Sequence, residues 1–336
     1  MKTLLLIFSS ILLINCASNN HINATAEATG ETATKYANTI TEADLKERLY
    51  VFASDEFEGR NTGEPGQKKA AEYLKKFYVN HNIPSPISYG NYYQNIPTEN
   101  LKPNLKPSEN VLAFIKGSEK PEEIIVISAH LDHLGITDDE IYNGADDNGS
   151  GNVAILEIAE AFKKAVENGK GPKRSILFLH VTGEEKGLLG SKYYVSHPIF
   201  PLKNTIVNLN IDMIGRVDDA HEKQPEFVYL IGSDKLSSEL HLLSETINDQ
   251  FTNLHLDYQY NDDDDPNRFY YRSDHYNFAK NNIPIIFYFN GTHQDYHEPS
   301  DTPDKINYEV LQKRTQLIFY TAWEIANREN RIAVDK

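Results

Sequence analysis

The sequence predicts an α/β protein, a three-layer sandwich in which a mixed, mostly parallel sheet lies between layers of helices. Three observations carry that expectation. Short β-branched or aromatic runs at 111–115, 124–128, 176–181, 206–211, 227–231 and 284–289 alternate with segments of helical spacing, the pattern that strand–helix–strand units produce. The runs are apolar throughout rather than at every second residue, as strands buried on both faces are. Acids and histidines stand just after several of them, at the carboxyl ends of the strands, where open α/β sheets gather ligands.

Taken in order, the chain begins with an address. Met1-Lys2 supplies a positive start and 4–14 an apolar run of signal-peptide length, too short to span a bilayer. Residues 1–16 read as a signal peptide whose end, at Cys16, resembles a lipoprotein acceptor site. Cys16 is the only cysteine, so no internal disulfide can form. The competing reading is a secretory signal cut after Ala17. Both place the mature chain outside the cytoplasm: a lipoprotein on the outer membrane or cell surface, otherwise periplasmic or secreted. Residues 17–40, rich in Asn, Thr, Ala and Glu, read as a disordered tether.

A single domain is expected over 41–336. Thr41 caps a first helix, and a second follows Gly66, where Ala70, Ala71, Leu74 and Phe77 recur at helical spacing. The Pro-, Asn- and Tyr-rich stretch 84–108 reads as an irregular connection. Further helices are expected through Val153, Leu156, Ala159, Phe162 and Val166, over 240–251 and over 308–327. A chain of 336 residues fits one large α/β domain.

The formal net charge is -16 and there is no Lys/Arg run, which excludes a nucleic-acid surface, because phosphate binding needs a basic footprint. An acidic chain instead attracts cations, including metal ions and the amino ends of peptides. The most informative pair is Glu184-Glu185. Adjacent carboxylates repel, and one solution assigns one to a cation and leaves the other free for proton transfer. His130, the Asp146-Asp147 loop, Asp212 and His297 complete a set of oxygen and imidazole ligands, each following a predicted strand or opening the Val153 helix. Together they point to a metal hydrolase.

The motifs Ala129-His-Leu-Asp-His-Leu-Gly135, Gly144-Ala-Asp-Asp-Asn-Gly-Ser-Gly151, Gly183-Glu-Glu-Lys-Gly187, Asn210-Ile-Asp-Met213, Arg272-Ser-Asp-His275 and Asp295-Tyr-His297 resemble those of the co-catalytic two-zinc aminopeptidases. These zinc exopeptidases also include aminopeptidase Y, glutamate carboxypeptidase and, more distantly, glutaminyl cyclase. The resemblance spans roughly 45–327 and leaves no room for the protease-associated domain that some relatives insert before the first His motif. It implies two Zn²⁺ ions. His130 and Asp212 would hold one, Glu185 and His297 the other, with Asp147 bridging. Asp147 is preferred to Asp146 because in the family the bridging acid directly precedes Asn-Gly-Ser-Gly. Charge counting agrees: Asp147, Glu185, Asp212 and one hydroxide balance two Zn²⁺, and a closed crevice favours neutrality.

The resemblance makes Glu184 the general base. Asp132 is expected to accept the His130 ring N–H and fix its tautomer. Tyr296 matches a tyrosine that donates to the oxyanion in some relatives, with a purely structural tyrosine as the alternative. The ligand set is full without His133, which reads as a strand-end or loop histidine. The run 262–265 reads as a solvated acidic loop or a Ca²⁺ site, and Asp274 and His275 as helix-capping residues. Tyr270, Tyr271 and Tyr288 read either as a pocket wall or as core. The implied activity is removal of N-terminal residues from peptides with a free N-terminus. The alternatives are a glutaminyl cyclase, an acyl transferase using one zinc and adding no water, or a non-catalytic surface binding protein on the same fold.

Overall fold

The structure, a computed structural model, describes residues 30–88 and 90–336. In chain order the helices are α1 (30–37), α2 (Glu42–Phe52), α3 (Pro65–Asn80), α4 (Gly151–Glu167), α5 (Leu189–Ser196), α6 (Ser238–Phe251), α7 (His275–Ala279) and α8 (Tyr308–Asn327). The strands are β1 (Tyr93–Ile96), β2 (Ser108–Ile115), β3 (Lys120–His130), β4 (Gly135–Thr137), β5 (Glu140–Tyr142), β6 (Arg174–Val181), β7 (Thr205–Ile211), β8 (Phe227–Ile231), β9 (His255–Asp257) and β10 (Ile285–Phe289). Every expected strand is present. Expected helices are also present, and Thr41 caps α2 by accepting from the Asp44 amide at 3.1 Å.

Eight strands form one sheet in the order β1-β2-β6-β3-β7-β10-β8-β9, while β4 and β5 make a separate hairpin. The central four, β6, β3, β7 and β10, run parallel to one another, so the mixed, mostly parallel sandwich predicted from the sequence is the observed architecture. Side chains of β3 alternate between faces. Ile125, Ile127 and Ala129 pack with α1 to α4, α6 and α8; Ile124 and Val126 pack on the other face with Tyr194 of α5 and Phe278 of α7. Burial on both faces is why the central strands read as unbroken apolar runs.

Two expectations are corrected. The tether expected over 17–40 does not extend that far: residues 30–37 are helical, and Ala33, Tyr36, Ala37 and Ile40 are buried. Tyr36 stacks on Trp323 at 5.7 Å and Gln312 of α8 donates to the Ile40 carbonyl at 2.8 Å. Three small or aromatic contacts at helical spacing suffice once α8 supplies the other half of the core, which composition alone does not register. The 84–108 connection contains β1, paired antiparallel with β2 from Tyr93↔Val111. The signal segment and Cys16 lie outside the described residues. Among the described residues no helix is long and apolar enough to cross a membrane.

Candidate metal centre

Because β6, β3, β7 and β10 are parallel neighbours, the segments leaving their carboxyl ends open onto one rim. His130 is the last residue of β3, Glu184 and Glu185 follow β6 and Asp212 follows β7, while His297 lies on the loop after β10. Asp147 enters from the turn that opens α4. That turn needs Gly144, whose φ is +53° and where an added Cβ would fall 2.1 Å from the Asp147 carbonyl and 2.5 Å from the His133 ring.

All five ligands expected from the sequence converge. His130 Nε2 lies 3.1 Å from Asp147 Oδ1 and 3.3 Å from Asp212 Oδ1. His297 Nε2 lies 3.0 Å from Asp147 Oδ2 and 3.5 Å from Glu185 Oε1. The two oxygens of Asp147 therefore face different clusters. Tetrahedral ligands at Zn–N and Zn–O distances of about 2.0–2.2 Å stand about 3.3–3.6 Å apart, and the measured separations of 3.0–3.5 Å lie at or slightly below that range. The donor set fits a pair of divalent cations sharing Asp147.

Electrostatics lead to the same conclusion. Burial opposes the Asp147 charge, yet hydrogen bonds from His130 and His297 outweigh it and hold the carboxyl well below its ordinary range. Burial likewise opposes charge on His297, but Asp147 and Glu185 raise its imidazole to about 10, and Asp212 and Asp147 raise His130 well above its usual value against the same burial. So many buried acids demand positive charge, and without metal the imidazoles supply it as protons. Glu184 is pushed well above the normal carboxyl range, first by burial and then by Asp212, Asp274 and Glu185, against the attraction of His130.

Much of what holds the site was not visible in sequence. Asp301, fully buried, accepts from the Asp146 amide at 3.1 and 3.0 Å and from the Asp147 amide at 3.1 Å. Arg60, also fully buried, donates to the carbonyls of Leu131, Phe52, Asn143 and Gly144 at 2.7–3.0 Å, tying the His130 segment to the Asp147 turn. Ser273 donates to Asp212 Oδ2 at 2.7 Å. Asp295 receives Arg216 at 2.8 Å and Lys305 at 2.6 Å, which anchors the loop bearing His297.

Several sequence readings change. The His130 ring Nδ1 lies 3.0 Å from the backbone carbonyl of Asp132 and 3.9 Å from its carboxylate. The Asp132 side chain instead receives Thr62 at 2.7 Å and the Glu184 amide at 3.1 Å. Asp132 thus orients His130 through its backbone and Glu184 through its carboxylate. His133, set aside as a loop histidine, is fully buried with Nδ1 3.0 Å from Glu185 Oε1 and 3.8 Å from Asp147 Oδ2. Asp274 does not cap α7; it is buried, receives the Ser191 hydroxyl, and burial pushes its carboxyl up to about 7. His275 is equally buried, its Nε2 2.7 Å from the Tyr270 carbonyl.

A cavity of about 40 Å³ lies against His130, Asp147, Glu184, Asp212 and His297. Tyr296 lines it and stacks on His297 at 3.9 Å. The far wall is Met213, Phe269, Phe287 and Phe289; of the two readings left open for Tyr270, Tyr271 and Tyr288, the pocket wall is not the one observed, since none of the three lines the cavity. Alternation along β10 is the reason: Phe287 and Phe289 face the cavity, so Tyr288 between them faces the core. The run 262–265 is a turn in which Asp265 receives the Asn267 and Phe269 amides, each at 3.0 Å, and the exposed Asp263 pairs with Lys235. Its acids do not converge.

Residues 110–322 match the sequence model of peptidase family M28. Aminopeptidase YwaD of Bacillus subtilis is 29% identical over 234 residues, which are 67% of this chain and 46% of that protein; the chain spans about half the length of such curated relatives. Among solved structures, the LapA aminopeptidase of Legionella pneumophila superposes with a TM-score of 0.68 at 22% identity, covering 90% of this chain and 76% of that one. Porphyromonas gingivalis glutaminyl cyclase superposes with a TM-score of 0.65 at 16% identity, covering 84% and 97%. At these identities the structural likeness is one of fold.

Proposed function

The chain belongs to peptidase family M28, and on that premise we propose that it is a two-zinc aminopeptidase that removes the first residue from peptides with a free N-terminus. The single observation that carries this reading is the division of Asp147, Oδ1 toward His130 and Asp212, Oδ2 toward His297 and Glu185. His130, Asp147 and Asp212 would hold one ion; His297, Glu185, Asp147 and the Nδ1 of His133 would hold the other. Bound there, such ions would supply Lewis acidity, polarising the scissile carbonyl and lowering the pKa of a coordinated water.

The remaining chemistry is the chain's own. Glu184 faces the cavity without belonging to either ligand cluster, and its raised proton affinity suits a carboxylate that takes the water's proton and returns it to the amide nitrogen as the peptide bond breaks. Asp132, through the Glu184 amide, fixes where that carboxylate stands. Tyr296 lines the same cavity, where its hydroxyl is a candidate donor to the oxyanion. A small cavity walled on one side by Met213 and three phenylalanines, with room for about three waters, favours a terminal residue over a continuing chain, and the acids that line it favour its ammonium group.

The decisive experiment compares the wild type with E184Q. The wild type should release amino-acid anilides, stop when chelated, resume with Zn²⁺ and ignore N-blocked peptides. E184Q should keep its zinc and lose at least about 10²-fold in kcat. Equal turnover of blocked and free peptides removes the aminopeptidase reading, and release of ammonia from N-terminal glutamine without peptide hydrolysis replaces it with the cyclase. Export as a lipoprotein, proposed from residues 1–16, requires that C16S abolish lipid labelling.

A further inference from the structure

A second group of metal-ligand type stands at the far edge of the sheet and shares no residue with the paired centre. His255 and Asp257 are the first and last residues of β9, two apart, so their side chains project to the same side of the edge strand. His221, from the short turn after Asp218, reaches over to meet them. Its Nε2 lies 3.3 Å from Asp257 Oδ2, and His255 Nε2 lies 4.0 Å from that same oxygen. One ligand atom from each of the three lies within 4.8 Å of the others.

Asp218 holds His221 in the arrangement a metal ligand needs. Its Oδ1 is 2.7 Å from His221 Nδ1, its Oδ2 receives the Tyr229 hydroxyl at 2.7 Å, and the carboxylate is buried. The imidazole lies flat on Phe227, with ring centroids 3.5 Å apart and planes at 5°. With Nδ1–H given to Asp218, Nε2 presents a lone pair toward a carboxylate oxygen, and a second imidazole nitrogen approaches that oxygen. One shared proton can link only two of these three atoms; a cation can link all three. The carboxylate–histidine pair behind the ligand is the outer-shell arrangement that sets tautomer and ring orientation at metal sites.

We propose that His221, His255 and Asp257 bind a third divalent transition-metal ion, with Zn²⁺ the ion best suited to two imidazoles and a carboxylate. Water completes the coordination, since the His255 side chain is 46% exposed. The ion clips the 218–221 turn to β9 and shields an otherwise open sheet edge. Its role is structural, and hydrolysis does not depend on it.

Zinc content after dialysis of the whole protein against excess Zn²⁺, followed by removal of free metal, tests this. The wild type should hold one equivalent more than H255A and one more than D257N, while H197A, which removes an exposed histidine outside the cluster, should match the wild type. Zinc should also raise the wild-type Tm further than that of either site variant, with peptide turnover the same in all. Because the result is a difference between proteins with the same paired centre, it does not depend on how many ions that centre holds. Equal zinc in the wild type, H255A and D257N overturns the proposal, as does a loss in H197A equal to that in H255A.

Discussion

Asp301 offers the sharpest test of how the bridging carboxylate is held. Its side chain is fully buried and receives the backbone N–H groups of Asp146 and Asp147 at 3.0–3.1 Å. D301N keeps the shape but removes the charge: with its oxygen in the place of Oδ2 it still accepts both amides, now as a neutral group, and its NH₂ replaces the second oxygen that shares the Asp146 N–H. A hydrogen bond to a charged group contributes about 1.5–3 kcal/mol. Falling wholly on the metal-bound arrangement, that loss weakens metal binding by about 10- to 100-fold, the range typical of outer-shell substitutions. Asp147 faces both ligand clusters, so both equivalents should weaken together in a titration against a chromophoric chelator, whereas H297A should weaken one. Circular dichroism on the metal-free protein checks that the fold persists. D301N binding both ions with wild-type affinity would show that Asp301 does not hold the bridging carboxylate, as would the loss of one ion alone.

H133A should lower the affinity of one bound ion by about 10- to 100-fold and spare the other, and two unchanged affinities in the same titration would return His133 to a bystander. D132A should keep its metal but lose about tenfold or more in kcat, because the carboxylate positions the Glu184 amide and not the His130 ring; metal loss at unchanged kcat per bound ion would restore the ring contact. Burial pushes Glu157 up to about 7 despite its pairing with Arg48. Its folded carboxyl thus holds a proton more tightly than the unfolded one, and its contribution to stability is full below about pH 4.5 and lost as pH rises through about 7. E157Q should flatten that part of the stability curve in urea melts, and an unchanged slope would remove Glu157 as its source.

The long elements were legible because their signals are local. β3, β6, β7 and β10 are buried on both faces and so appear as unbroken apolar runs, and α8 shows its period over 20 residues. The short elements were not. β9 has three residues and β1 four, and both lie at sheet edges where a strand exists only through its partner. α1 is legible only in company, since Tyr36 has little to pack on until Trp323 arrives from the other end of the chain.

The same division runs through the site. The five ligands could be placed because each ends or follows a strand or opens a helix, so topology brings them to one rim. Asp301 and Arg60 could not, because their partners are backbone N–H and C=O groups, which every residue has and no motif marks. His133 is different: it stands in the open, within the first His motif, three residues after His130. Five residues make a full set only if each is counted once, and donor atoms give a different total. Asp147 gives one oxygen to each cluster, so five residues supply only three donors per ion, one short of the four that tetrahedral coordination uses. Water would have to supply the remaining position at each ion. Beside Glu185, the buried Nδ1 of His133 stands as a further protein donor, and four imidazole or carboxylate donors around an ion there would set a different acidity for its bound water than three would.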